Sequence, residues 1–230
     1  MSNILGSKVL IVPTDRIHDN LFIKPNELDV NLLGEIDPDC PHDSDGIAPC
    51  RRFQPLVMFV GGAGDPETGA LLNGVFRRYD GSHEDIQDIG YGAWQTGPQV
   101  KALALHWMTQ GQKVVLVGHS YGGDTVMDIS RELSGVGKEI ELVVTLDPVS
   151  RGGPRADQPK PSGVKKWLNV YVDYERAGRG RDNLIALAGG VWGNCPNADA
   201  NHPYVDGSGI EHGKAIEMFP YVRSDVEAVI

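Results

Sequence analysis

Cysteine is scarce: three residues in a chain of 230, an odd number that cannot make a full disulfide framework. Cys40 and Cys50 stand near enough in sequence to bridge, within a stretch rich in Pro and Asp, whereas Cys195 is alone far downstream. The chain starts Met1-Ser2-Asn3-Ile4-Leu5-Gly6-Ser7-Lys8, with no basic segment leading into an apolar core. No cleavable export signal is read there, and reduced thiols are the expectation. Long apolar runs are missing as well, none nearing the roughly 20 residues that cross a bilayer. Together these shortages point to a cytoplasmic or otherwise soluble protein without integral membrane association, with signal-independent export left open. Positive charge is the third shortage: 21 Lys and Arg face 31 Asp and Glu, for a formal net charge of -10. Such a surface repels the phosphates of nucleic acids and anionic lipid heads, so a nucleic-acid partner is set aside. The acidic run Asp37-Pro38-Asp39-Cys40-Pro41-His42-Asp43-Ser44-Asp45-Gly46 lacks the evenly spaced acids and distal Glu of a calcium loop and reads as solvated.

What is present is an ordinary globular composition, 40% hydrophobic and 23% charged, in a length that suits one domain spanning residues 1–230. Apolar runs at residues 8–12, 55–60, 113–117, 140–146 and 167–172 predict strands, several of them apolar throughout, as for strands covered on both faces. In the last of these, Leu168, Val170 and Val172 alternate with Asn169, Tyr171 and Asp173, which predicts one face partly exposed. Between strands, Pro98 opens a helical pattern that carries Val100, Leu103, Ala104 and Trp107 on one face and stops before Gly111. A second begins right after Ser120, with Val126, Ile129 and Leu133 as its apolar stripe and Asp124, Asp128 and Arg131 expected toward water. Residues 150–163 and 175–182 carry no helical period and read as surface loops. Strands alternating with helices build an α/β protein with a mostly parallel central sheet flanked by helices.

The chemistry concentrates in Val114-Val115-Leu116-Val117-Gly118-His119-Ser120-Tyr121-Gly122-Gly123, where an apolar strand runs through G-x-S-x-G into a helix. A serine on so sharp a turn is held in a strained conformation that projects its hydroxyl from the sheet, and small residues two before and two after let the turn close. The start of the following helix supplies unpaired N–H groups and partial positive charge, suited to an oxyanion. A second strand, Leu56-Val57-Met58-Phe59-Val60, ends in Gly61-Gly62-Ala63-Gly64-Asp65, which has neither the spacing nor the following Lys-Ser or Lys-Thr of a phosphate loop.

Gly118-His119-Ser120-Tyr121-Gly122-Gly123 resembles the nucleophile elbow of the lipase and esterase branches of the α/β-hydrolase superfamily. The resemblance runs over residues 55–219 and leaves 1–54 as an N-terminal segment of uncertain role. It implies an α/β-hydrolase fold with an eight-stranded, mostly parallel sheet, and a Ser–acid–His triad in that chain order. It also implies an oxyanion hole shared by Tyr121 and the turn at Gly62 and Ala63. The acid is then sought after Ser120 at a strand end. Asp147 in Leu146-Asp147-Pro148 resembles that of pancreatic-type lipases, while Asp173 and Asp182 occupy the position used one strand later in other hydrolases. The base is sought among the two histidines left downstream: His212, just before a short helical pattern, is favoured over His202, which precedes Pro203. His202, Asp206 and His212 match no common metal spacing, and neither metal nor cofactor is expected.

The expected activity is therefore that of a serine hydrolase cleaving small-molecule acyl ester or lipid substrates through an acyl-enzyme. Thioesterase, amidase or acyltransferase chemistry on the same triad stays open, as does a non-catalytic hydrolase-fold binding protein. The oligomeric state is open too. No large cap domain is expected, and residues 150–163 offer no apolar helical face to cover a pocket. An open site that favours dissolved short or medium esters over emulsified triglyceride follows from that reading.

Overall fold

The computed structural model describes residues 55–65, 72–83, 88–205 and 209–229. The expected strand at 8–12, Cys40 and Cys50, and Asp206 lie outside the described residues. Six strands pair in one all-parallel sheet of order β2-β1-β3-β4-β5-β6. They are β1 (Leu56–Gly61), β2 (Asp88–Ala93), β3 (Val114–His119), β4 (Ile140–Leu146), β5 (Val164–Val172) and β6 (Ala200–Tyr204). Helices α1 (Leu72–His83), α2 (Gly97–Thr109), α3 (Tyr121–Gly135), α4 (Arg181–Gly189), α5 (Ala215–Met218) and α6 (Arg223–Glu227) connect and cover them. The expected class, a parallel sheet with helices on it, is what the chain forms. Where eight strands were implied, six occur among the described residues.

Alternation along the strands sorts side chains onto two faces, each with its own apolar core. Val57, Phe59, Val115, Val117, Val144 and Val170 face one way, against Leu72, Val75 and Phe76 of α1 and Met218, Phe219 and Val226 near the C-terminus. Leu56, Met58, Val60, Leu116 and Val143 face the other, against Val100, Leu103 and Trp107 of α2 and Val126, Ile129 and Leu133 of α3. Both helical stripes expected from the sequence are thus buried where their period placed them. The chain leaves β1 for the edge strand β2 and returns to β3 on the opposite side of β1. The carboxyl ends of β1 and β3 therefore flank a topological switch point, where the connecting loops diverge and leave a crevice.

Three local expectations are corrected. On the face of β5 expected to be partly exposed, Tyr171 and Asp173 are half-buried as expected, but Asn169 is buried, because the segment around Trp192 and Cys195 folds over it. Its amide is accommodated by Thr145 Oγ1, the Gly193 carbonyl and Asn201 Oδ1, each at 2.9 Å. Asp124 is buried as well, since the loop after β4 brings Arg155 Nη1 to 2.9 Å from its carboxylate. The loop at 175–182 ends two residues early, where α4 begins at Arg181.

Candidate active site

Strand β3 ends at His119, and Ser120 turns the chain directly into α3 with φ 55 and ψ -127. Among the described residues, the non-glycine positions with positive φ are Ser120 and Asp147. That backbone costs on the order of 1–3 kcal/mol per residue and persists only where surrounding packing imposes it. Here the packing is tight enough to exclude a single methyl. A Cβ on Gly122 would collide with the Val60 carbonyl of β1, and one on Gly118 with the Gly122 carbonyl. The elbow is wedged between β1 and Pro148, which follows β4.

Ser120 Oγ lies 2.9 Å from His212 Nε2. On the other side of the ring, His212 Nδ1 lies 2.7 Å from Asp147 Oδ2. The Asp147 carboxylate is completely buried, and its Oδ1 accepts the Val172 N–H at 3.0 Å. With a carboxylate on Nδ1, that nitrogen carries the ring proton and Nε2 is left to accept from the serine hydroxyl. The sequence-favoured Ser120, Asp147 and His212 are brought together, from the ends of β3 and β4 and from the loop before α5.

The alternative residues are not brought there. His202 sits within edge strand β6, beside Tyr221 at a ring separation of 6.4 Å. Asp173 caps the turn after β5 through the Glu175 N–H and pairs with Arg176 at 3.3 Å. Asp182 borders the same crevice as Ser120 from the first turn of α4, without a hydrogen bond to His212.

Three further residues hold the histidine and were not singled out from the sequence. The Asn183 side chain accepts the His212 N–H at 2.7 Å and donates to the carbonyls of Gly178 at 2.7 Å and Ile210 at 2.9 Å. The His119 ring donates from Nε2 to the His212 carbonyl at 2.8 Å and stacks on the His212 ring with centroids 4.8 Å apart. Burial, with the His212 ring beside it, drives the His119 pKa down to about 3, so it serves as a neutral donor. The Tyr174 hydroxyl donates to Asp147 Oδ2 at 2.5 Å and lies 3.4 Å from His212 Nδ1. Burial and the adjacent carboxylate push that phenol well above its ordinary range, so it keeps its proton. Position 119 is variable in the elbow pattern, and Asn183 and Tyr174 lie in loop or helix stretches with no local signature.

Gly62 packs directly on Ser120, since a Cβ there would press on the serine Cβ. Ala63 and Tyr121 line the crevice together with Ser120. Among the described residues, no turn or loop hydrogen bond uses the N–H of Gly62, Ala63 or Tyr121. The crevice, about 600 Å³, is walled by Val149, Ile185, Ala186 and Ile216 together with Arg181, Glu211 and Lys214. An apolar helical face does adjoin the site: Leu184, Ile185 and Leu187 of α4 are exposed. It comes from the segment after 175–182, whereas 150–163 forms no helix, as expected. No group of three or more His, Cys, Asp or Glu side chains suited to a metal occurs among the described residues. Cys195 is buried, which pushes its thiol up to about 12 and away from reactivity. Among the described residues no helix is long and apolar enough to cross a membrane.

No family model and no curated protein matches this chain. Among solved structures, an esterase from Pyrobaculum calidifontis is 14% identical with a TM-score of 0.42, over 77% of this chain and 74% of that one. The type II thioesterase BorB from the borrelidin biosynthetic cluster is 10% identical with a TM-score of 0.44, over 76% and 92%. The phospholipase PlaB from Legionella pneumophila is 15% identical with a TM-score of 0.38, over 61% of this chain and 43% of that one. These are likenesses of chain path alone.

Proposed function

We propose that this protein of α/β-hydrolase fold is a serine hydrolase that cleaves carboxylic esters through an acyl-enzyme. One observation carries the reading: Ser120, on a strained turn between strand and helix, shares an unbroken hydrogen-bond line with His212 and the buried Asp147. Nothing in stability calls for two strained residues and a buried carboxylate at a crevice, whereas nucleophilic catalysis uses each of them.

The steps follow from the donors and acceptors. Ser120 Oγ attacks the acyl carbonyl carbon while its proton passes to His212 Nε2. Asp147 holds the ring in the tautomer that can accept and stabilises the imidazolium that results. Negative charge gathering on the carbonyl oxygen is met by the N–H groups of Tyr121 and of Ala63 or Gly62, the first also at the positive end of α3. Collapse of the tetrahedral intermediate breaks the ester C–O bond, and the imidazolium returns its proton to the departing alkoxide. A water then attacks the acyl carbon as His212 takes its proton, and collapse breaks the bond from the acyl carbon to Ser120 Oγ, which recovers the proton from the imidazolium as the acid leaves.

The test is hydrolysis of p-nitrophenyl acetate and butyrate together with labelling by a fluorophosphonate, on the protein and on Ser120→Ala. The protein is expected to turn over and to label, and the variant to lose both by several orders of magnitude with its fold intact. A folded protein that neither hydrolyses nor labels would favour a binding role on the same fold. Retention of most activity by Ser120→Ala would remove the serine from the mechanism.

A further inference from the structure

A second groove adjoins Tyr121, and His212 is not among the residues that line it. It is lined by Leu187 and Ala188 of α4, by Pro154 and Val191, and by Arg151, its single charged residue. Tyr121 borders both this groove and the crevice that holds Ser120, and α4 walls both, through Ile185 and Ala186 in the crevice and Leu187 and Ala188 in the groove. The crevice itself mixes Arg181 and Lys214 with Asp182, Glu211 and Glu217 and has no surplus of positive charge.

Arg151 is held rather than loose. Its guanidinium lies over the Trp94 ring, 4.8 Å from the centroid, and Trp94 meets the Tyr121 ring edge-on at 5.5 Å. The three form a ladder from the groove to the residue after the serine. Cation–π contact fixes the plane of a guanidinium while leaving its N–H fork free for an anion. The neighbouring carboxylates already have other partners. Asp124 and Asp128 are met by Arg155 at 2.9 and 3.1 Å, Asp128 also by Arg131, and Glu132 by Lys101. The charge of Arg151 is felt at Asp124, but among the described residues no carboxylate lies within salt-bridge distance of it, which leaves its N–H fork without an ionic partner at the end of the groove.

We infer that Arg151 is a specificity residue that binds an anionic group, carboxylate or phosphate, carried by the ester at a distance from its scissile bond. The inference rests on the proposed hydrolase reading of Ser120. The apolar wall receives the chain joining the two, and the guanidinium fork takes the anion in a paired hydrogen bond. The anion belongs to the acyl half or to the alcohol half of the substrate, according to which half enters this groove.

Two ester series separate those sources. One is the p-nitrophenyl monoesters of succinic, adipic and suberic acids, each compared with its monomethyl-capped counterpart. The other is hexanoate esters of 4-hydroxybenzoate, compared with those of its methyl ester. In one series, kcat/KM is expected to favour the charged member, with that preference falling about five- to tenfold in Arg151→Gln and partly kept in Arg151→Lys. Rates on the neutral esters should stay within about twofold in both variants, an arginine remote from the reacting atoms having no part in the chemistry. Calorimetry of suberate and monomethyl suberate, and of 4-hydroxybenzoate and its methyl ester, on Ser120→Ala reads the site without turnover. Tighter binding of the member with the additional charge, lost on adding Arg151→Gln, supports it even if no ester is cleaved. Absence of a charge preference in both series and in both binding pairs, or a preference that survives Arg151→Gln, overturns it, while hydrolysis of the neutral esters would leave the hydrolase reading standing.

Discussion

Asp147 accepts three hydrogen bonds, and the one from Tyr174 ends on the same oxygen that faces His212. A phenol donating there helps fix the plane of the carboxylate that orients the ring. Tyr174→Phe should therefore lower kcat with KM little changed and circular dichroism unchanged. An unchanged kcat would mean that the phenol only packs. Away from the serine, Asp65 closes the glycine-rich turn after β1. Its side chain is fully buried, one carboxylate oxygen takes the Asn73 N–H at 3.1 Å, and the other has no hydrogen-bond partner. Burial raises its pKa to about 6, outweighing the Asn73 N–H that favours its charge. Since the folded value lies above the unfolded one, the folded state holds the extra proton, and stability from this group is full below about pH 4 and lost as pH rises through about 6. Asp65→Asn removes the penalty. Urea unfolding should find it more stable than the parent at pH 7, by at most about 3 kcal/mol, with the difference gone at pH 4.

Strands and helices were legible in proportion to how local their signals are. β4 occupies the residues its apolar run delimits, and α2 and α3 follow their stripes, because each buries one face against the sheet. β2 and β6 were not anticipated: Asp88–Ala93 carries two glycines, and Ala200–Tyr204 is an edge strand holding Asn, His and Pro. α4 escaped for the opposite reason, since Leu184 to Ala188 are all apolar and leave no stripe to read. Within the site, Ser120 is announced by strand, turn and helix in one stretch, whereas the histidine and acid could be narrowed only by chain order. What locks His212 in place is tertiary and left no trace in spacing. Asn183 makes the point at this scale: one side chain ties α4 to the histidine loop through two hydrogen bonds and holds the Gly178 carbonyl of the preceding loop with a third. Asn183→Ala strands a buried N–H and two carbonyls. A stability loss of about 1–3 kcal/mol is expected by urea titration. A fall in kcat larger than the change in KM should accompany it, because the base loses its position while the crevice keeps its walls. A KM effect alone would assign Asn183 to binding.

Across the whole molecule, both halves of the site depend on one pairing, that of β1 with β3. The turn after β1 presses on Ser120, and the β1 backbone at Val60 fills the space that any side chain at 122 would need. Gly122→Ala should therefore force the two strands apart. Its thermal midpoint is expected to drop by more than about 5 °C, with residual native protein labelling poorly. A fully active, equally stable Gly122→Ala would show that the elbow has slack. The wedge also sets when reactivity arises. In a growing or refolding chain Ser120 is an ordinary alcohol, because its strained turn has nothing to hold it until β1 has waited through two helices and an edge strand for β3 to arrive. A nucleophile switched on by long-range assembly cannot attack its own unfinished chain. The rate at which Ser120 becomes labelled during refolding is then a clock for the closing of the sheet.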